Sequence, residues 1–137
     1  MISVTGPTDR YILQPRLINM HQESLEWLSA TVLWKNELNF LQKLLDDHAS
    51  LFVTVDEKKE IDHYQNLIIY YNGEVIDAFR KKLRKHENGM AAVLQSRDET
   101  GTEYFKVHEG LMDELRTFGH QFSQLKNDFF SFIEKVM

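Results

Sequence analysis

Apolar residues in the last third of the chain recur at alternating spacings of four and three. This seam comprises Tyr104, His108, Leu111, Leu115, Phe118, Phe122, Leu125, Phe129, Phe132 and Val136. The alternation keeps one side of an α-helix apolar, so it predicts a helix over about 101–136. Because phenylalanine is too bulky at so many positions for a two-helix seam, we expect two neighbouring helices to cover this face.

The two preceding segments also carry apolar faces at helical spacing. In the middle segment, one stripe comprises Ile61, Tyr64, Ile68, Tyr71 and Val75, and a second comprises Ile69, Ile76, Leu83 and Met90. In the first segment, the core face comprises Trp27, Thr31, Trp34, Leu38, Leu41, Leu45 and His48, flanked by Leu33, Phe40 and Leu44. These patterns predict helices over about 16–49 and 55–96, with the middle helix packed between the other two.

Prolines and capping boxes set the expected boundaries. Pro7 and Pro15 favour an irregular arm over residues 1–15, with the first helix beginning near Pro15 or Asn19. Capping boxes at 54–57 and 100–103 mark the second and third helix starts. We therefore expect an all-α fold, an antiparallel bundle of three long helices forming one domain over 1–137. A turn at Asn72-Gly73 would make it a four-helix up-down bundle, but the apolar stripe continues through Gly73 in phase, which favours three.

Composition narrows the classes of protein to consider. The chain has no cysteine, which excludes disulfides and thiolate chemistry and fits a cytoplasmic protein. The first residues lack a basic region followed by an apolar run, and no stretch approaches the length of a membrane span, so we expect neither export nor a membrane partner. The net charge of −5 makes a nucleic-acid partner unexpected.

The motifs of several common enzyme classes are missing. There is no Walker pattern, no GxGxxG fingerprint and no HExxH, and nothing local suggests a nucleophilic triad. A single Glu-x-x-His pair, Glu60 with His63, falls short of the two pairs that carboxylate metal bundles use. Glu37 lies on an apolar face, where we expect it to be buried and hydrogen-bonded near His63, Asn66 and Tyr70.

The main candidate site contains three histidines. If the chain turns near Leu51 and Glu99, the helical rise brings His21, His86 and His108 to similar levels. Gly89 and Gly110 would then leave a notch beside the last two. Three imidazoles from three helices would suit zinc or iron with open coordination positions. The alternative is that each is an ordinary hydrogen-bonded histidine.

A basic run, Arg80-Lys81-Lys82-Leu83-Arg84-Lys85-His86, lies on the middle helix. It could bind a phosphate, a nucleic acid or an acidic partner, but we expect a solvated helix face that Glu87 and nearby acids partly neutralise.

Four short stretches carry a resemblance to known proteins. They are Met20-His21-Gln22-Glu23, Trp34-Lys35-Asn36-Glu37-Leu38, His63-Tyr64-Gln65-Asn66 and Lys85-His86-Glu87. With them, the chain from about Met20 resembles small uncharacterised bacterial helical-bundle proteins, and the resemblance implies a helical bundle without a particular activity. From the wide apolar faces we expect a non-enzymatic protein that acts through protein contacts or forms a homo-oligomer. The rival expectation is a metal-binding protein or metal-dependent enzyme using the three histidines.

Overall fold

The fold is an all-α bundle of three long helices, and none of the described residues forms a strand. The computed structural model describes residues 8–96 and 102–137. Helix α1 spans Thr8–His48, and a short 3-10 turn, Ala49–Leu51, follows it. The second long helix consists of α2 (Val55–Tyr70), a π-helical segment (Tyr71–Val75) and α3 (Ile76–Ser96). The third is α4 (Thr102–Ile133), which ends in a 3-10 turn, Glu134–Val136.

Helix α1 begins earlier than the sequence predicts. It starts at Thr8 and runs through Pro15, so the irregular arm predicted for residues 1–15 is wrong from Thr8 onward, and residues 1–7 lie outside the described part. A proline removes one backbone N–H bond and crowds the carbonyl four residues earlier. That cost is local, and the helical hydrogen bonds made by the rest of this 41-residue helix outweigh it.

The middle helix is continuous. Asn72-Gly73 lies inside the π-helical segment, whose flanking residues Tyr70 and Ile76 both keep right-handed helical backbone angles, so the four-helix alternative does not apply. A π-helical turn holds one more residue than an α-helical turn.

The start of α2 is fixed by the predicted capping box. The Thr54 hydroxyl accepts a hydrogen bond from the Glu57 backbone N–H at 3.1 Å, and the Glu57 carboxylate accepts one from the Thr54 backbone N–H at 3.2 Å. This arrangement satisfies two backbone donors that a helix start leaves free. The other predicted box, at 100–103, lies partly outside the described residues.

The chain divides into two compact units. Unit 1 contains the described residues of Met1–Ala30 and Phe79–Leu115, and unit 2 contains Thr31–Ala78 and Arg116–Met137. The core of unit 2 is one large cluster built largely on the predicted seam of α4, and its buried members are Leu38, Leu41, Leu45, Phe52, Tyr64, Ile68, Ile76, Phe118, Phe122, Leu125, Phe129, Phe132 and Ile133. Rings of Phe52 and Phe132 stack at 4.2 Å, and Trp34 lies 5.1 Å from Phe118. Aromatic contacts of this kind add to the stabilisation from burial.

Two predictions for α1 in unit 2 are wrong. Glu37 is not buried beside His63, Asn66 or Tyr70; its carboxylate accepts a hydrogen bond from Lys126 on α4 at 3.0 Å. Leu33 and Phe40 do not flank the core, because they lie on the outer side of α1, 59% and 55% exposed. The seam at Leu38, Leu41 and Leu45 is buried as predicted.

Unit 1 has two smaller apolar clusters instead of one. Leu17, Met20, Met90 and Val93 form the first, and Trp27, Phe79, Leu83 and Leu111 form the second. Among the residues of this unit that the structure describes, three polar ones are buried: Ser24, His86 and His108. They define a polar layer that positions the candidate site. None of the described helices has an apolar stretch sufficient to cross a membrane.

Candidate functional site

Two of the three candidate histidines are buried at seam positions of their helices. His86 lies three residues after Leu83 and four before Met90 on α3, and His108 lies three residues before Leu111 on α4. Both histidines are only 3% exposed. The helical period that buries the neighbouring apolar side chains therefore also directs these imidazoles into the core of unit 1.

The histidines belong to a hydrogen-bonded chain that reaches the surface. His86 Nε2 lies 3.1 Å from His108 Nδ1, and His108 Nε2 lies 3.1 Å from the Glu23 carboxylate, whose side chain is 45% exposed. An ionised carboxylate can only accept, so His108 donates from Nε2 to Glu23. Between the two histidines, one nitrogen donates and the other accepts. In the arrangement where His108 Nδ1 accepts, His86 donates from Nε2 and its Nδ1 carries a lone pair at the buried end of the chain.

Aromatic side chains enclose the chain. The Trp27 ring stacks on His108 with centroids 4.4 Å apart, and the Tyr104 ring lies 5.8 Å from that of His86. The expected notch at Gly89 exists but is filled, because a Cβ there would lie 2.7 Å from the Tyr104 hydroxyl. Gly110 contributes nothing to it, since a Cβ there would meet open space. The predicted open notch between two glycines is therefore wrong.

Two buried polar atoms in this layer have no hydrogen-bond partner among the described residues, His86 Nδ1 and Ser24 Oγ. Desolvation by burial, followed by the influence of His108, lowers the pKa of His86 from 6.5 to about 4. His86 is consequently neutral at physiological pH. A neutral imidazole carries one proton, so one of the two ring nitrogens of His86 has a lone pair.

His21 does not join the pair. Its Nδ1 lies 3.1 Å from the Glu87 carboxylate, in a partly exposed ion-pair contact on the side of α1 that faces α3. Within the described ranges, no group of three or more histidine, aspartate or glutamate side chains is placed to hold one metal ion. The structure thus brings together His86 and His108, and the assignment of all three histidines to zinc or iron remains a prediction. Glu60 and His63 are both exposed.

Sequence reasoning missed Glu23 and Ser24, and it placed Trp27 on the core face without linking it to His108. Ser24 interrupts the apolar positions Met20 and Trp27 at a seam position of α1, which is a detectable signal for a buried polar layer. Glu23 carried no such signal, because it lies beside the seam and is partly exposed.

Comparison with protein-family models, with curated proteins and with solved structures finds no match to this chain.

Proposed function

We propose that this protein acts without catalysis, by self-association through the outer side of α1. The observation that carries the proposal is a set of three large apolar side chains on the part of that helix in unit 2 that are 47–59% exposed: Val32, Leu33 and Phe40. The absence of cysteine suits a reducing compartment, so we place the protein in the cytoplasm.

The spacing of these residues favours another helix as the partner. Leu33 and Phe40 are seven apart, and Val32 directly precedes Leu33. Residues seven apart lie about 20° from each other around a helix, and neighbouring residues about 100°, so the three occupy a sector of about 100°, the width of a face that packs on neighbouring helices. Four phenylalanines of α4 are unavailable for this role, because Phe118, Phe122, Phe129 and Phe132 are buried within unit 2. A second copy of the chain presents the same heptad-spaced face.

Sedimentation equilibrium over a range of concentrations tests this proposal. We expect the average mass to rise toward twice that of one chain. The double variant Leu33→Gln/Phe40→Gln should weaken association at least about tenfold, because full burial of each side chain contributes about 1.5–3 kcal/mol. Val53→Ser is the matched control, since Val53 is 76% exposed but lies outside α1. A wild-type chain that is monomeric at every concentration, or equal weakening by Val53→Ser, would refute the proposal.

Metal binding by the buried histidines is the second candidate. Two nitrogens bound to one tetrahedral zinc ion at about 2.05 Å lie about 3.3 Å apart, and His86 Nε2 and His108 Nδ1 are 3.1 Å apart. The Glu23 carboxylate accepts a hydrogen bond from Nε2, the other nitrogen of His108. A contact of this kind usually orients a metal-bound histidine. This pair would leave coordination positions for water or another ligand.

Calorimetric titration with zinc tests the second candidate on the intact wild-type chain. We expect binding near one equivalent, with affinity reduced about tenfold or more by Glu23→Gln. Glu26→Gln, at an exposed position of the same helix, is the control and should leave affinity unchanged. Purified protein that contains neither zinc nor iron and does not bind added zinc would eliminate this function.

A further inference from the structure

Two polar atoms in the buried layer of unit 1 have no hydrogen-bond partner among the described residues, Ser24 Oγ on α1 and His86 Nδ1 on α3. Ser24 is completely buried and His86 is 3% exposed. Buried polar groups are usually hydrogen-bonded, because an unsatisfied one has lost its water without gaining a partner. The two groups are chemically complementary, since a hydroxyl oxygen can accept a hydrogen bond from an imidazole N–H.

The apolar clusters of unit 1 place these two groups in the same layer. On α1, Ser24 lies between Met20, which belongs to the first cluster, and Trp27, which belongs to the second. On α3, the next buried residues on either side of His86 belong to the same two clusters. Ser24 and His86 therefore both lie between the two clusters, on helices that contact each other.

Two polar contacts between α1 and α3 give the same level. His21 Nδ1 lies 3.1 Å from the Glu87 carboxylate, and the Leu28 carbonyl accepts a hydrogen bond from Arg80 at 3.2 Å. The contacts are seven residues apart on each helix, in opposite directions, so the two helices run antiparallel in step. Ser24 then lies about two residues, or about 3 Å along the helix axis, from the level of the buried imidazole of α3.

We propose that Ser24 is a positioning residue of the metal site, whose hydroxyl accepts a hydrogen bond from His86 Nδ1 when a metal ion is bound to Nε2. This inference rests on the metal-binding function proposed above. A neutral imidazole with a metal ion on Nε2 carries its one proton on Nδ1. That N–H needs an acceptor inside the polar layer, and the Ser24 hydroxyl makes no other hydrogen bond to a described residue.

The surroundings of His108 support the proposal. The Glu23 carboxylate accepts a hydrogen bond from His108 Nε2 at 3.1 Å, while His108 Nδ1 lies 3.1 Å from His86 Nε2. Glu23 and Ser24 are consecutive residues, so one turn of α1 offers an oxygen to the outer nitrogen of each imidazole. Loss of such a hydrogen bond typically lowers metal affinity about 10–100-fold. A neutral hydroxyl is a weaker acceptor than a carboxylate, so the lower end of this range applies to Ser24.

Calorimetric titration with zinc, combined with urea unfolding of the metal-free chain, tests the proposal. We expect Ser24→Ala to lower zinc affinity about tenfold. Without metal, Ser24→Ala should be at least as stable as the wild type, because the hydroxyl that it removes has no partner. Ser29→Ala, at an exposed position of α1, is the control and should change neither quantity.

The possible outcomes separate this role from metal binding itself. A wild-type chain that binds zinc, with unchanged affinity in Ser24→Ala, would overturn the positioning role alone. A Ser24→Ala chain that is less stable than the wild type without metal would also overturn it, because the hydroxyl would then have a structural role. A wild-type chain that does not bind zinc would eliminate the metal-binding function and this inference together.

Nitrogen NMR of the histidine side chains gives a second measurement that needs no variant. In the zinc-loaded wild-type chain we expect His86 to carry its proton on Nδ1 and His108 to carry its proton on Nε2. A zinc-loaded chain in which His86 keeps its proton on Nε2 would overturn the proposal.

Discussion

Replacing Gly89 by alanine tests whether Tyr104 really fills the notch on α3. The added Cβ would lie 2.7 Å from the Tyr104 hydroxyl oxygen, 2.8 Å from ring carbon Cε1 and 3.0 Å from Cζ. These distances are shorter than real carbon contacts, so the tyrosine ring must move. Because the ring packs against the buried cluster of Leu17, Met20, Met90 and Val93, its movement disturbs that cluster.

The expected change in the free energy of unfolding follows from two opposing effects. Alanine in a helix interior is favoured over glycine by up to about 1 kcal/mol, whereas overpacking a well-filled site costs about 1–3 kcal/mol. Gly110→Ala in the same unit provides the matched control, because a Cβ there meets nothing within 4 Å. We expect Gly110→Ala to stabilise the chain and Gly89→Ala to be about 1–3 kcal/mol less stable than this control.

Urea unfolding followed by circular dichroism measures both variants. In a Tyr104→Ala chain, Gly89→Ala should cost less stability than it does in the wild-type chain, because the clashing atoms are gone. If Gly89→Ala stabilises the chain as much as Gly110→Ala does, the described packing of Tyr104 over α3 is wrong.

Two further predictions concern unit 2, and thermal unfolding checks both. Thr54→Ala should lower the free energy of unfolding by about 1 kcal/mol because it removes the capping hydroxyl. Thr117→Ala, at an exposed position of α4, is the control and should change stability little. Equal effects of the two variants would argue against the capping box. Phe129→Ala should cost about 3–5 kcal/mol because the ring is completely buried. Its neighbour Phe130 is 37% exposed, so Phe130→Ala should cost clearly less, and the reverse order would contradict the assigned face of α4.

The fold was predictable where the spacing of apolar residues alone decides which side of a helix is buried. The four-three alternation from Tyr104 to Val136 predicted the buried face of α4, and the Thr54 capping box marked the start of α2. The start of α1 was not predictable in this way, since Pro15 weighs against helix locally while the length of the helix decides its presence. Leu33 and Phe40 were placed wrongly because an exposed apolar residue has the same spacing signal as a flanking core residue.

The candidate site was predictable only in part, because level along a helix is easier to infer than direction around it. Counting from the turns placed His21, His86 and His108 at similar heights, and the structure joins the two that also occupy seam positions. His21 lies beside the seam of α1, so its imidazole contacts Glu87 of α3 at the edge of the interface between these two helices.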